Sequence, residues 1–199
     1  NQNVANGRIF DKDVRVSNTI SISQANTLST TVRGGGQAGT GTVTYSKVTD
    51  TTAVLTHSDA AAGGADDLTG KTVTLIAGAT GVVSLDELNT IKTNANVGTI
   101  RQGQAAGTVS HHSVTDTYAD LIDTASNKAG SGQANIIDKV VVISDFVSIS
   151  NANGVKTTVT ANASGSVSYT KVQDTAAVLA AATSAHGQAN ALTGKTVKT

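Results

Sequence analysis

Seven short segments of the chain predict strands, six of them by alternating apolar with polar, mostly β-branched or small residues, and the one at Val140 as a continuous β-branched apolar run. They open at Val14-Arg-Val-Ser, Val43-Thr-Tyr-Ser, Val73-Thr-Leu-Ile, Val109-Ser-His-His, Val140-Val-Val-Ile, Val167-Ser-Tyr-Thr and Val197-Lys-Thr. The steps between their first residues are 29, 30, 36, 31, 27 and 30 residues. Between the strands the pattern turns helical. Asp50, Asp116 and Asp174 each precede Thr-x-Ala-x-Leu, so each carboxylate is expected to cap the helix that follows it. Ser23, Ser84 and Ser150 are expected to cap the intervening helices, with Glu87 completing a capping box on Ser84. Gly154 is expected to end its helix early, in the left-handed cap conformation.

Three long segments repeat one another: Gly41 to Leu55, Gly107 to Leu121 and Gly165 to Leu179. Similarity at a fixed period marks a repeat architecture, in which each unit buries its apolar face against its neighbours. The predicted fold class is α/β: a repeat array of β-α coils of roughly 30 residues with a parallel, solenoid-like sheet. A compact α/β domain is the alternative. The domain reading is an N-terminal arm or linker at 1–13, repeat 1 at 14–72, repeat 2 at 73–139 and an incomplete repeat 3 at 140–199. The longest step places an insertion in a loop near Asn94–Gln104.

Composition narrows the function classes. The chain has 199 residues, 14 basic against 14 acidic, so no basic surface is set aside for nucleic acid. No apolar run approaches the roughly 20 residues of a membrane span, and no signal-peptide pattern opens the chain. Cysteine, methionine, proline and tryptophan are absent, which excludes disulfides and thiolate metal sites. The start at Asn1 without an initiator methionine suggests a processed product or a window of something longer. Gly194-Lys-Thr-Val at the end copies Gly70-Lys-Thr-Val, so continuation into further repeats or pairing of open strand edges with other copies is expected.

Candidate chemistry is sparse. Gly70-Lys71-Thr72 and Gly194-Lys195-Thr196 echo a phosphate-binding loop, but Ala65 and Ala189 stand where its first glycine is needed, and a strand follows instead of a helix. His111-His112 are adjacent on a strand, so their rings face opposite sides and do not converge on one metal ion. His111 takes the register of Tyr45 and Tyr169. Asp11 to Asp13 and Asp66-Asp67 read as turns, with calcium as the one cation they leave open, because no spaced Asp-x-Asp-x-Asp-Gly loop occurs. The outward strand positions form rows: Thr42, Thr44 and Ser46; Thr72 and Thr74; Thr108 and Ser110; Ser166, Ser168 and Thr170. Arg15, His112 and the Val140–Ile143 segment interrupt them. Catalytic, cofactor-binding and metal residues are each read as none, and an enzyme is not expected.

The stacked Thr-x-Thr rows resemble the binding face of β-solenoid ice-binding proteins. The segment Val167 to Leu179, with Val-x-Ile-Ser-x-Ala-Asn stretches between copies, resembles the repeats of very large secreted bacterial, cyanobacterial-type, cell-surface β-strand-repeat proteins. That resemblance covers residues 14–199. It implies a structural protein of an S-layer, filament or appendage at the cell surface or outside the cell, assembled by end-to-end self-association. The alternative it implies is an adhesin or phage-fibre segment that binds a host surface glycan.

Overall fold

The structure, a computed structural model, describes residues 9–33, 41–57, 68–76, 82–97, 106–123, 135–162, 164–182, 192 and 194–199. It is α/β, with small parallel sheets. In chain order the elements are β1 (Val14–Val16), α1 (Ile22–Val32), β2 (Val43–Tyr45), β3 (Lys47–Asp50), α2 (Thr52–Thr56), β4 (Thr72–Leu75) and α3 (Leu85–Asn94). There follow β5 (Thr108–Ser110), β6 (Ser113–Asp116), α4 (Tyr118–Ile122), β7 (Val140–Ile143), α5 (Ile149–Val159), β8 (Ser166–Tyr169), β9 (Lys171–Gln173), α6 (Ala176–Ala181) and β10 (Thr196–Lys198). All seven predicted strands are present. Two compact units divide the chain, Asn1–Gly81 with Glu87–His111 and Val82–Asp86 with His112–Thr199.

In the first unit β1 pairs with β2, and β3, β4 and β5 form a second sheet. In the second unit β6, β7 and β8 form one sheet and β9 pairs with β10. Among the described residues every pairing is parallel, and no sheet closes into a barrel. The repeated segment is therefore more than a strand followed by a cap. Ser46 bends it, so that β2 joins the preceding strand and β3 the following one. Thr170 does the same between β8 and β9. At the centre of each second half-strand lies a fully buried valine, Val48, Val114 or Val172. Each makes a parallel bridge to an upstream residue, Ile20, Val83 or Val147 respectively.

The core of the first unit gathers Ile22, Val48, Leu55, Leu68, Val73, Ile91 and Ala95. Each large aliphatic side chain fully withdrawn from water is worth about 1.5–3 kcal/mol. Three-residue strands hold few hydrogen bonds, so this apolar contact between helix and sheet carries the pairing. The helical threonines return their hydroxyls to the backbone. Thr27, Thr31, Thr93, Thr157 and Thr160 each donate to the carbonyl four residues earlier.

Helix starts differ from the sequence expectation. Ser21, not Ser23, caps α1, its Oγ accepting from Gln24 N while the Gln24 side chain accepts from Ser21 N. Ser148, not Ser150, caps α5 through Asn151 N. Ser23 and Ser150 lie inside their helices, because Ile22 and Ile149 must enter the first turn as buried residues. Ser84 does stand immediately before α3. The three aspartates do not cap the helices that follow them; Thr51, Thr117 and Thr175 hold those positions.

Each aspartate carboxylate reaches back instead to an earlier helix. Asp50 Oδ2 accepts from Ile22 N at 3.0 Å, Asp116 Oδ2 from Leu85 N at 2.8 Å, and Asp174 Oδ2 from Ile149 N at 3.1 Å. The other oxygen accepts from the next backbone N–H in each case. The bonded N–H belongs to the first helical residue, where no intrahelical acceptor exists and the helix dipole favours negative charge.

Gly154 does not terminate α5. It sits in mid-helix, exposed, with open space where a Cβ would stand, and the helix runs on to Val159. The expected insertion near Asn94–Gln104 begins with a turn after α3 in which Asn96 is buried and left-handed, φ 57; residues 98–105 lie outside the described residues. Gly107 and Gly165 occupy close approaches. A Cβ on Gly107 would stand 2.2 Å from Ala95 O, and one on Gly165 would stand 2.5 Å from Val159 O.

Asp50→Ala leaves two N–H groups without their acceptor and is expected to cost about 1–2 kcal/mol in urea unfolding. No loss of stability would mean that water replaces the carboxylate. Two glycine substitutions should move in opposite directions. Gly154→Ala should gain about 0.5–1 kcal/mol, and Gly165→Ala should lose about 1–3 kcal/mol through backbone overlap.

Candidate functional site

The two Gly-Lys-Thr tripeptides form turns that lead into β4 and β10. Lys71 N donates to Leu68 O and Lys195 N to Leu192 O, with Gly70 and Gly194 left-handed at φ 71 and 72. A positive φ at the third residue of such a turn is the type II pattern, which glycine adopts without strain. The same turn recurs twice with aspartate in that place. Asp11 (φ 55) and Asp138 (φ 59) precede Lys12 and Lys139, whose N–H groups donate to Ile9 O and Ile136 O. The signal was in the sequence as an Ile or Leu three residues before each of these lysines, but aspartate in place of glycine hid it. The turn before β1 thus carries the recurring pattern back to Ile9.

These turns also hold the helix ends. The N–H groups of Asp11, Gly70 and Asp138 donate to Val32 O, Ala95 O and Val159 O. The lysines lie over the tyrosines of the repeated segment, Lys71 Nζ at 4.7 Å from the Tyr45 ring centre and Lys195 Nζ at 3.9 Å from that of Tyr169. Lys195 Nζ also donates to Tyr169 O at 2.6 Å. Burial pushes the Tyr169 phenol up and the Lys195 ammonium down. The lysine that resembled a phosphate ligand is thus engaged with an aromatic face.

β5 ends at Ser110 and β6 begins at Ser113, so His111 and His112 lie in the bend between them and not on a strand as expected; His111 is half-buried in the tyrosine register, and His112 is exposed. Among the described residues no three His, Cys, Asp or Glu side chains gather as a metal site. Asp13 Oδ1 accepts from both the backbone N and the hydroxyl of Thr42, and Asp66-Asp67 lie outside the described residues. No helix among the described residues is long and apolar enough to cross a membrane.

Each unit carries exposed polar side chains on its strands. Thr42, Thr44, Ser46, Thr72, Thr74, Thr108, Ser110, Ser166, Ser168 and Thr170 are all exposed. In the first unit the register places Thr72 beside Thr108 and Thr74 beside Ser110, and Ser110 Oγ donates to Thr74 Oγ1 at 3.3 Å. In the second unit half-buried Val140 and Val142 stand between the hydroxyls, opposite Ser166 and Ser168. Such a face can exchange hydrogen bonds with a polar partner, but it supplies no activated nucleophile or paired acid and base.

Beside β1 lies a second kind of surface, a groove of about 420 Å³ bordered by Val16, Thr19, Ile20, Gln24 and Leu28. Sequence reading missed it, because strand and helix periodicity mark which residues are apolar and leave open which of them find a neighbour.

Asp138 Oδ2 accepts from Asn162 Nδ2 and its Oδ1 from Ser164 N, and these bonds hold its carboxyl below the ordinary aspartate value. A folded-state pKa below the unfolded one stabilises at higher pH, and that contribution is lost as pH falls below about 4. Asp116 is displaced the other way, chiefly by burial, so a single pH curve mixes the two. Asp138→Asn keeps a residue that tolerates the left-handed turn and should lower stability at neutral pH while converging on the unsubstituted protein near pH 2–3. A constant difference across pH, measured by urea unfolding, would count against the charge-assisted bonds.

Compared with known proteins, the chain matches no family model, no curated protein and no solved structure.

Proposed function

We propose that this chain is a structural, non-enzymatic repeat protein that works outside the cell or at its surface, in a layer, filament or appendage built by end-to-end association. The observation that carries the reading is the pairing order. Within each unit every parallel pair joins strands that follow one another along the chain. That order is what a stacked, solenoid-like array of β-α coils requires, and such arrays extend by adding coils. The recurring turn, the recurring aspartate bridge and the recurring close-packed glycine support the same reading, since all three are built from the repeat itself. A second reading, an adhesin or fibre segment that binds a surface glycan, is favoured by the ten exposed hydroxyl side chains of the strand face.

Association is expected to appear as concentration-dependent growth in light scattering and as rods or a lattice in electron microscopy. Protein that stays monomeric over the accessible concentration range, with its fold intact, would remove the assembly reading and leave the glycan-binding one.

A further inference from the structure

The third repeat shows what covers the groove beside β1. Residues Val14 to Asn26 align without gaps with Val141 to Asn153, including the shared Ser-Ile-Ser, and Leu28 falls on Val155. In that later copy β6 pairs with β7 and α4 packs on α5, leaving Ile143, Val147 and Val155 only 1%, 2% and 1% exposed. Their counterparts beside β1 are Val16, Ile20 and Leu28, which border the groove, and among the described residues β1 pairs only with β2. Half-buried Val16 and Leu28 are the side chains that a β6–α4 element would cover.

The chain carries two further elements of that sequence, and one is weakly occupied. β9 and α6 repeat β6 and α4, as Lys171-Val-Gln-Asp-Thr-Ala-Ala-Val-Leu179 against Ser113-Val-Thr-Asp-Thr-Tyr-Ala-Asp-Leu121. The partner of β9 within the chain is β10, three exposed residues with Val197 44% exposed. By the turn alignment β10 is the counterpart of Asp13 to Arg15, so the same edge of β9 fits either strand.

We propose that β9 and α6 of one copy dock on β1 and α1 of a second copy of this chain, with β1 replacing β10 in parallel register. This inference rests on the assembly reading above and names its interface. The register carries over from the β9–β10 pair: Lys171 faces Asp13, Val172 faces Val14 and Gln173 faces Arg15. Lys171 stands opposite Thr196 within the chain, so exchange sets it against a carboxylate, the better cross-strand pair. α6 is the counterpart of α4, so docking sets α6 beside α1 and the Leu28 groove as α4 lies beside α5. The same alignment puts Asn18 where Asp145 Oδ1 accepts the N–H of Tyr118 in the later copy. β1 is continuous with Ile20 and α1, and so offers β9 and α6 an apolar neighbour.

The chain has no cysteine, so engineered pairs report cleanly. Residues directly opposite on paired strands lie within disulfide reach. Purified Arg15→Cys and Gln173→Cys proteins, mixed and oxidised, should give the mixed dimer as the main cross-linked product on a non-reducing gel. The double variant Gln173→Cys/Lys198→Cys locks β10 in place and should lose association until reductant is added. Leu28→Glu, with its fold checked by circular dichroism, should lose the mixed cross-link as well; should it fail to fold, Asn18→Arg takes its place on the exposed rim. Association that persists with β10 locked, or cross-links of each variant only with itself, overturns this interface while leaving the assembly reading standing. Unsubstituted protein that never associates overturns both.

Discussion

Each of the long helices among the described residues, α1, α3 and α5, begins under an aspartate that arrives 25 to 31 residues later in the chain. The first N–H groups of a helix cannot be satisfied from within it, and a carboxylate is the strongest acceptor available there. Asp50, Asp116 and Asp174 each spend one oxygen on such an N–H and the other on their own chain one residue ahead. A single side chain thereby fixes where the half-strand ends, where the earlier helix starts and how far apart the two lie. In short strands with few ladder bonds, that bridge and the buried valine two residues before it set the register.

The opposite ends of these helices meet a matching constraint. In α1 and α5 the last-turn carbonyls of Val32 and Val159 receive the N–H groups of Asp11 and Asp138 from the turn that precedes the strand. The glycine that opens each repeated segment passes so near this junction that a side chain would overlap backbone, which accounts for Gly41, Gly107 and Gly165 in equivalent places. The lysine after each glycine turn covers a tyrosine instead of a ligand. Residues that looked chemical, the Gly-Lys-Thr tripeptides and the aspartates, are consumed by turns, caps and close packing. Among the described residues the features without such a structural role are surfaces: exposed hydroxyl rows on the strands, and the groove beside β1.

Much of this was legible. The spacing of valine-led, β-branched segments located seven of the ten described strands, because a half-buried parallel strand selects β-branched residues; the half-strands β3, β6 and β9 were read as cap regions. The chemistry of Asp50, Asp116 and Asp174 as helix caps was also legible, but their targets were not. A cap is read from sequence as a local device, and here the strand continues past Ser46 and Thr170, carrying the carboxylate to a helix far upstream. Ser23 and Ser150 were misplaced by two residues for a related reason. Ser-Ile-Ser offers two capping hydroxyls, and only burial of the isoleucine between them decides which one starts the helix. Gly154 carried the expected cap residue type without the cap, since Val155 and Val159 behind it are held in the core and keep the helix going.

The sequence by itself determined the α/β class, the positions of seven strands and their parallel pairing, because period and β-propensity are properties of neighbours along the chain. Only the tertiary structure decided that each repeated segment divides between two sheets, which helix each aspartate serves and which apolar side chains stay open at β1. Those outcomes depend on contacts between residues about 30 positions apart, so equivalent positions such as Leu28 and Val155 end half-buried in one place and fully buried in the other.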